Sequence, residues 1–126
     1  MEYVMNPAKE KSVRVSGRGL RISTKNSIAI CREISGMTLP KARAFMERLS
    51  GKEQSLDGKY YSNATKEILG LIRSAENNAE FKGLESSRLI VSATAHKGFK
   101  YHRPRRFKLR RQEGKVTNIQ LVMVSK

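Results

Sequence analysis

Lysine and arginine recur at almost every second position from His96 to Lys115, HKGFKYHRPRRFKLRRQEGK, and Glu113 is the only acid among them. Cations spaced this densely repel one another unless a polyanion neutralises them, so the segment is suited to binding phosphates. Each Lys or Arg that meets a phosphate releases condensed counterions, and a guanidinium can also fork to two phosphate oxygens or stack on a base. Tyr101 and Phe107 stand among Arg103, Arg105, Arg106 and Lys108. Such rings either stack on unpaired bases, which RNA offers more readily than duplex DNA, or pack across the segment's own two limbs. Both arrangements are open at this level. Pro104 suits an irregular, extended limb that needs no ladder donor at that position.

Catalysis has far less to draw on. His96 and His102 are the only histidines, both in the basic segment, and Cys31 is the only cysteine. Cys31 falls on the apolar face of an expected helix, where a thiol packs as a small hydrophobe. One Cys and two His do not supply the three or four close ligands of a metal site. Ser16-Gly-Arg-Gly19 is not followed by a helix-opening phosphate-loop pattern, so its glycines read as a strand bulge. No enzyme activity, cofactor or metal is expected.

The formal charge is +15, and it is unevenly placed: residues 96–126 hold ten Lys/Arg against one acid, residues 1–95 sixteen against ten. No apolar run approaches the ~20 residues of a membrane span. The first residues also lack the basic-then-apolar pattern of a secretory signal. Nucleic acid rather than a membrane is therefore the expected partner, and a lone cysteine, which cannot form an internal disulfide, suits the reducing cytoplasm. A length of 126 residues matches one domain by the prior of roughly 100–200 residues per domain, so residues 1–126 are expected to form a single RNA-binding domain with 97–115 as its arm.

The elements that would carry this arm emerge from periodicity. Residues 1–12 show none. From Val13 to Ile22 apolar and basic residues alternate about Gly17 and Gly19, as in a half-buried strand that turns Arg14, Arg18 and Arg21 away from the core. Ser23 suits the cap of a first helix with Ile28, Cys31 and Ile34 on one face and Gly36 as its stop. Thr38 and Pro40 open a second helix with Ala42, Phe45, Met46 and Leu49 as its stripe, ending at Gly51. Ser62 suits the cap of a third, with Ile68, Leu71, Ile72, Ala75 and Ala79 buried and Gly83 near its end. Leu89, Val91, Ala93 and Ala95 alternate with Ile90, Ser92 and Thr94 in a second strand, and residues 116–124 read as a third. Without a helix between them these two strands pair antiparallel. The fold class is α+β: a small three-stranded antiparallel sheet packed against three helices, with a long basic β-hairpin extension. Half of that extension, about nine residues at ~3.3 Å each, could reach roughly 30 Å from the body. Loops of such length inside a compact domain are usually functional or disordered.

From about Val15 to Val124 the chain resembles the universal large-subunit ribosomal proteins of the "L twenty-two" family, called "L seventeen" in eukaryotes. The resemblance is carried by Gly19-Leu-Arg-Ile-Ser23 with Lys25, by Ser74-Ala-Glu-Asn-Asn78, and by Arg103-Pro-Arg105 ahead of a final β run. It implies a body on the outside of the large subunit and a hairpin that penetrates the ribosomal RNA to line the tunnel of the nascent peptide. By position, Lys97, Lys100, Tyr101, His102, Arg103, Arg105, Arg106, Lys108, Arg110, Arg111 and Lys115 would face RNA along that hairpin. Phe107, Arg110 and Arg111 would stand at the tunnel tip. Arg14, Arg18, Arg21 and Lys25 correspond to RNA-facing residues around the first strand and helix. Large-subunit ribosomal RNA, neighbouring ribosomal proteins and the nascent peptide are the implied partners. The arm tip departs from the family's usual sequence, with Phe107 to Arg111 in place of its small Gly-Arg-Ala segment.

A helix-turn-helix DNA-binding regulator is the rival reading, because two short helices meet across Ser35 to Leu39. It would place Lys41, Arg43 and Arg48 toward a major groove. Against it, the recognition helix would carry a core stripe and no base-reading Asn or Gln.

Overall fold

The computed structural model describes residues 3–125. In chain order these form strand β1 (Ser12–Leu20), helices α1 (Thr24–Ile34), α2 (Leu39–Ser50) and α3 (Ser62–Phe81), and strands β2 (Leu89–Lys97) and β3 (Thr117–Ser125), with single 3-10 turns at Lys9–Lys11 and Ser86–Arg88. The three strands make one antiparallel sheet in the order β1-β3-β2, and the helices pack on one face of it, α1 against β2, α3 against β1, and α2 against α3. The expected α+β class is the observed one. None of the described helices is long and apolar enough to cross a membrane.

The register explains the core. Ile119, Leu121 and Met123 of β3 stand opposite Gly17, Val15 and Val13 of β1 and opposite Ala95, Ala93 and Val91 of β2. Since side chains alternate along a strand, this row faces the helices together. There it meets Ile30, Ile34, Leu39, Met46, Leu49, Ile68 and Ile72, all fully buried. The central strand is covered on its other face as well: Gln120 and Val122 are buried too. The N-terminal segment contributes to this cover, the Val4 amide donating to Gln120 Oε1 at 3.2 Å, so residues expected to lack organisation lie against the sheet.

The helices differ from the expected ones in detail. The inward stripe of α1 is Ser27, Ile30, Cys31 and Ile34; Ile28 is only half-buried, because the true face follows the i, i+3, i+4, i+7 spacing rather than a strict repeat of three. Ser23 does occupy the cap position, but its hydroxyl caps nothing, and Ser27 Oγ instead donates to the Ser23 carbonyl at 2.8 Å. In α3 the cap is Tyr61, in the left-handed region at φ 46°, and Ser62 is already helical. The far end of α3 closes as a Schellman motif: Gly83, at φ 74°, donates to the Glu80 carbonyl and Leu84 to that of Ala79, both at 3.0 Å. This is the left-handed position that glycine fills without a Cβ clash.

The outer edge of β2 is covered by the chain itself. The α1–α2 connection pairs with it, Gly36 N donating to Val91 O at 2.8 Å and Val91 N to Met37 O at 2.9 Å. Ser35 Oγ accepts from Ala93 N at 3.1 Å. The turn that suggested a helix-turn-helix is thus built as an edge cover, which blunts pairing with other chains.

Candidate nucleic-acid interface

The β1 bulge forms the root of the arm. Arg18 and Gly19 together oppose Asn118, shifting the register between Gly17 and Leu20, and Asn118 Oδ1 accepts from the Gly19 amide at 2.9 Å. Such an extra residue bends a strand and re-aims the backbone beyond it. Gly19 sits at φ 66°, and a Cβ there would come within 2.9 Å of the Phe99 ring. Phe99 therefore rests on bare backbone while 63% of it stays exposed. Thr117, buried where the arm rejoins the sheet, donates to the Ile22 carbonyl at 2.8 Å and meets Thr24 Oγ1 at 2.8 Å. The arm's exit is thereby tied to the start of α1.

Beyond the strands the two limbs run antiparallel without a continuous ladder. Gly98 N donates to Val116 O, Gly114 N to Tyr101 O, and Arg103 N to Gln112 O. His102 and Glu113 form the one isolated bridge there. Tyr101 packs against Gly114, where any Cβ would overlap its ring, and the guanidinium of Arg21 lies 4.4 Å from the ring centroid in a cation–π contact. Of the two arrangements open to the arm's aromatics, Tyr101 takes self-packing. Phe107 does not: it is 90% exposed at the tip. The tip turns through residues 106–111, Leu109 N donating to Arg106 O and Gln112 N to Leu109 O, with Arg111 in the left-handed region at φ 59°.

The electrostatics concentrate at that tip. His102, Arg103, Arg105, Arg110, Arg111 and Gln112 surround an open concavity of about 640 Å³. Among the described residues these four guanidinium groups have no ion-pair partner. Arg106, Lys108, Lys100 and Lys115 are exposed as well. The arm's single acid is engaged near its root, where Lys97 Nζ donates to Glu113 Oε2 at 3.3 Å. That hydrogen bond, then the Lys97 charge, holds the Glu113 carboxyl below its ordinary range. Lys97 is thus a partner of Glu113 rather than a free cation.

The cations expected around the first strand and helix are not brought into one patch. Arg18 and Lys25 are exposed beside the arm's root, and Arg21 is engaged with Tyr101. Arg14 lies farther along β1, its Nη2 donating to the Pro7 carbonyl at 2.9 Å and its guanidinium 5.6 Å from the Tyr3 ring. No short-range sequence signal marks the Gly19–Phe99, Arg21–Tyr101 and Gly114–Tyr101 contacts, since their partners are 13 to 80 positions apart.

Burial pushes the Cys31 thiol up to about 12, and the described residues include no group of three or more His, Cys, Asp or Glu that could hold a metal. On α2, Ala42, Phe45, Met46 and Leu49 are buried, and Arg43 is held by Glu47 at 3.0 Å and Glu76 at 2.7 Å. The would-be recognition helix faces the core.

The whole is a small body of sheet and helices that bears an arginine-rich arm. Residues 15–122 match the model of the family described as Ribosomal protein L22p/L17e. The chain is 36% identical to the large ribosomal subunit protein uL22 of Methanococcus aeolicus, over 85% of this chain and 84% of that protein. It is 35% identical to that of Methanococcus vannielii, over 83% of each, and 34% to that of Methanopyrus kandleri, over 71% and 69%. The chain belongs to the L22p/L17e family of ribosomal proteins, as its resemblance implied. It is a structural, non-enzymatic protein of the large subunit of the cytoplasmic ribosome, and the DNA-regulator reading is set aside.

Proposed function

We propose that residues 1–126 act as one ribosomal RNA-binding unit, in which the segment 97–115 enters the folded large-subunit RNA and its tip borders the path of the nascent peptide. The observation that carries this reading is the unpaired arginine cluster around the tip concavity. Four guanidinium groups left without carboxylates among the described residues gain most from phosphate oxygens, which each can hold in a two-pronged contact. Lys100, Arg103, Arg105, Arg106, Lys108, Arg110, Arg111 and Lys115 hold phosphates; such contacts position the protein without reading sequence, so selectivity comes from fit to one folded RNA shape. Exposed Phe107, with Arg110 and Arg111, is the part nearest the nascent peptide. Tyr101, Arg21 and the Lys97–Glu113 pair aim the arm, while Arg18 and Lys25 meet RNA at its root. Neighbouring ribosomal proteins contact the body.

The test is the salt dependence of binding to large-subunit RNA. Removing one phosphate contact lowers the slope of log affinity against log salt by about 0.7–0.9. Replacing Arg103 to Arg111 by a short turn should flatten that slope by several such steps. An unchanged slope would contradict the arm's role as principal electrostatic contact.

A further inference from the structure

We infer that the body carries a second RNA site, separate from the arm, at which an unpaired nucleotide stacks on Phe81. The proposal rests on the ribosomal RNA reading and names a further contact within it. Phe81 is the last residue of α3 and stands 94% exposed, the most exposed large apolar side chain of the described residues. It borders a groove of about 370 Å³ between the end of α3 and the beginning of β1, into which Lys9, Arg14, Asn78 and Lys82 also face, and which no carboxylate of the described residues lines.

The groove is built rather than incidental. Lys82 Nζ donates to the carbonyls of Lys9 at 3.1 Å and Ser12 at 2.9 Å. Two of the three ammonium protons are thereby used to fix the charge in place, and the third is free for an acceptor. Arg14 is likewise anchored, through Pro7 and Tyr3, which leaves donors of its fork unused. The Asn78 carboxamide has no side-chain partner within the described residues and presents both a donor and an acceptor. An open aromatic face beside fixed cations is the combination by which proteins hold single-stranded nucleic acid: the ring takes a base and the cations take the adjoining phosphates. A protein partner would cover Phe81 with apolar groups and leave Lys9, Arg14 and Lys82 uncompensated, so charge favours RNA.

The experiment uses the full chain bound to large-subunit ribosomal RNA. Ultraviolet crosslinking followed by peptide mass spectrometry should find a nucleotide adduct on Phe81 as well as adducts on the arm. Phe81→Trp should bind as tightly as the original, whereas Phe81→Leu and Phe81→Ala should each weaken binding about tenfold with the salt slope unchanged. The side chain is almost wholly exposed, so none of these changes disturbs the core. Adducts confined to residues 97–115, together with full affinity of Phe81→Leu and Phe81→Ala, would overturn the second site and leave the arm's role standing. A crosslink from Phe81 to a ribosomal protein in assembled subunits would also overturn it. Failure of the unsubstituted chain to bind the RNA would overturn the parent reading itself.

Discussion

Glu113 is the only carboxylate on an arm of nine cations between Lys97 and Lys115, and it sits beside one of them at the root. Its pKa is lowered by the hydrogen bond and charge of Lys97. The link is therefore intact at neutral pH and lost as pH falls through that lowered value. Replacing Lys97 with Met should move the Glu113 titration back up toward the ordinary carboxylate range in a carboxyl NMR experiment; an unmoved titration would show that Lys97 is not the cause. Gly114 is under a different constraint, since a Cβ there overlaps the Tyr101 ring. Gly114→Ala should speed amide exchange at residues 98–101 while exchange in β3 stays slow. Equal protection in both variants would mean that Tyr101 does not lock the root. The sequence shows why a dense cationic segment needs a polyanion, but not which of its members are internally engaged. Lys97, Arg21 and Tyr101 look like their neighbours until the chain folds and brings Glu113 against Lys97, and Gly114 and Arg21 against the Tyr101 ring.

At the scale of elements, the helices were legible from the spacing of their apolar residues, and their ends less so. Tyr61 rather than Ser62 caps α3 because the chain enters it through a left-handed residue, a geometry that cap preferences do not anticipate. The two strands flanking the arm were legible too. The central place of β3 does not emerge from periodicity alone, although its nearly unbroken apolar run, Ile119 to Val124 with only Gln120 interrupting, is the pattern of a strand buried on both faces. Truncating a residue where sheet and helices meet should be costly: Ile72→Ala is expected to destabilise the protein by about 2–5 kcal/mol, read from chemical denaturation. The arm should behave oppositely. Its tip rests on no core residue, and shortening a loop lowers its closure entropy slightly. Replacing Arg103 to Arg111 by a short turn should preserve cooperative unfolding with a melting temperature within a few degrees. Loss of cooperativity would show that the tip belongs to the fold.

For the molecule as a whole, charge and hydrophobicity are divided between different parts. Apolar residues build the body, where sheet and helices close on one core; the uncompensated cations gather at the far end of a segment fixed to the body at Gly19, Arg21 and Thr117. Composition alone made this division visible, because residues 96–126 hold ten Lys/Arg against one acid. The pinning contacts needed the fold. On the proposed reading the arm points inward into ribosomal RNA while the α2 end of the body stays at the subunit's surface. A photo-crosslinker placed at Arg110, in the tip concavity, and another at Glu53, exposed after α2, test this in translating ribosomes. Abundant ribosomal RNA adducts and some nascent-chain adducts are expected from Arg110, with few of either from Glu53. Equal capture from both positions, or nascent chain captured from Glu53 alone, would contradict it.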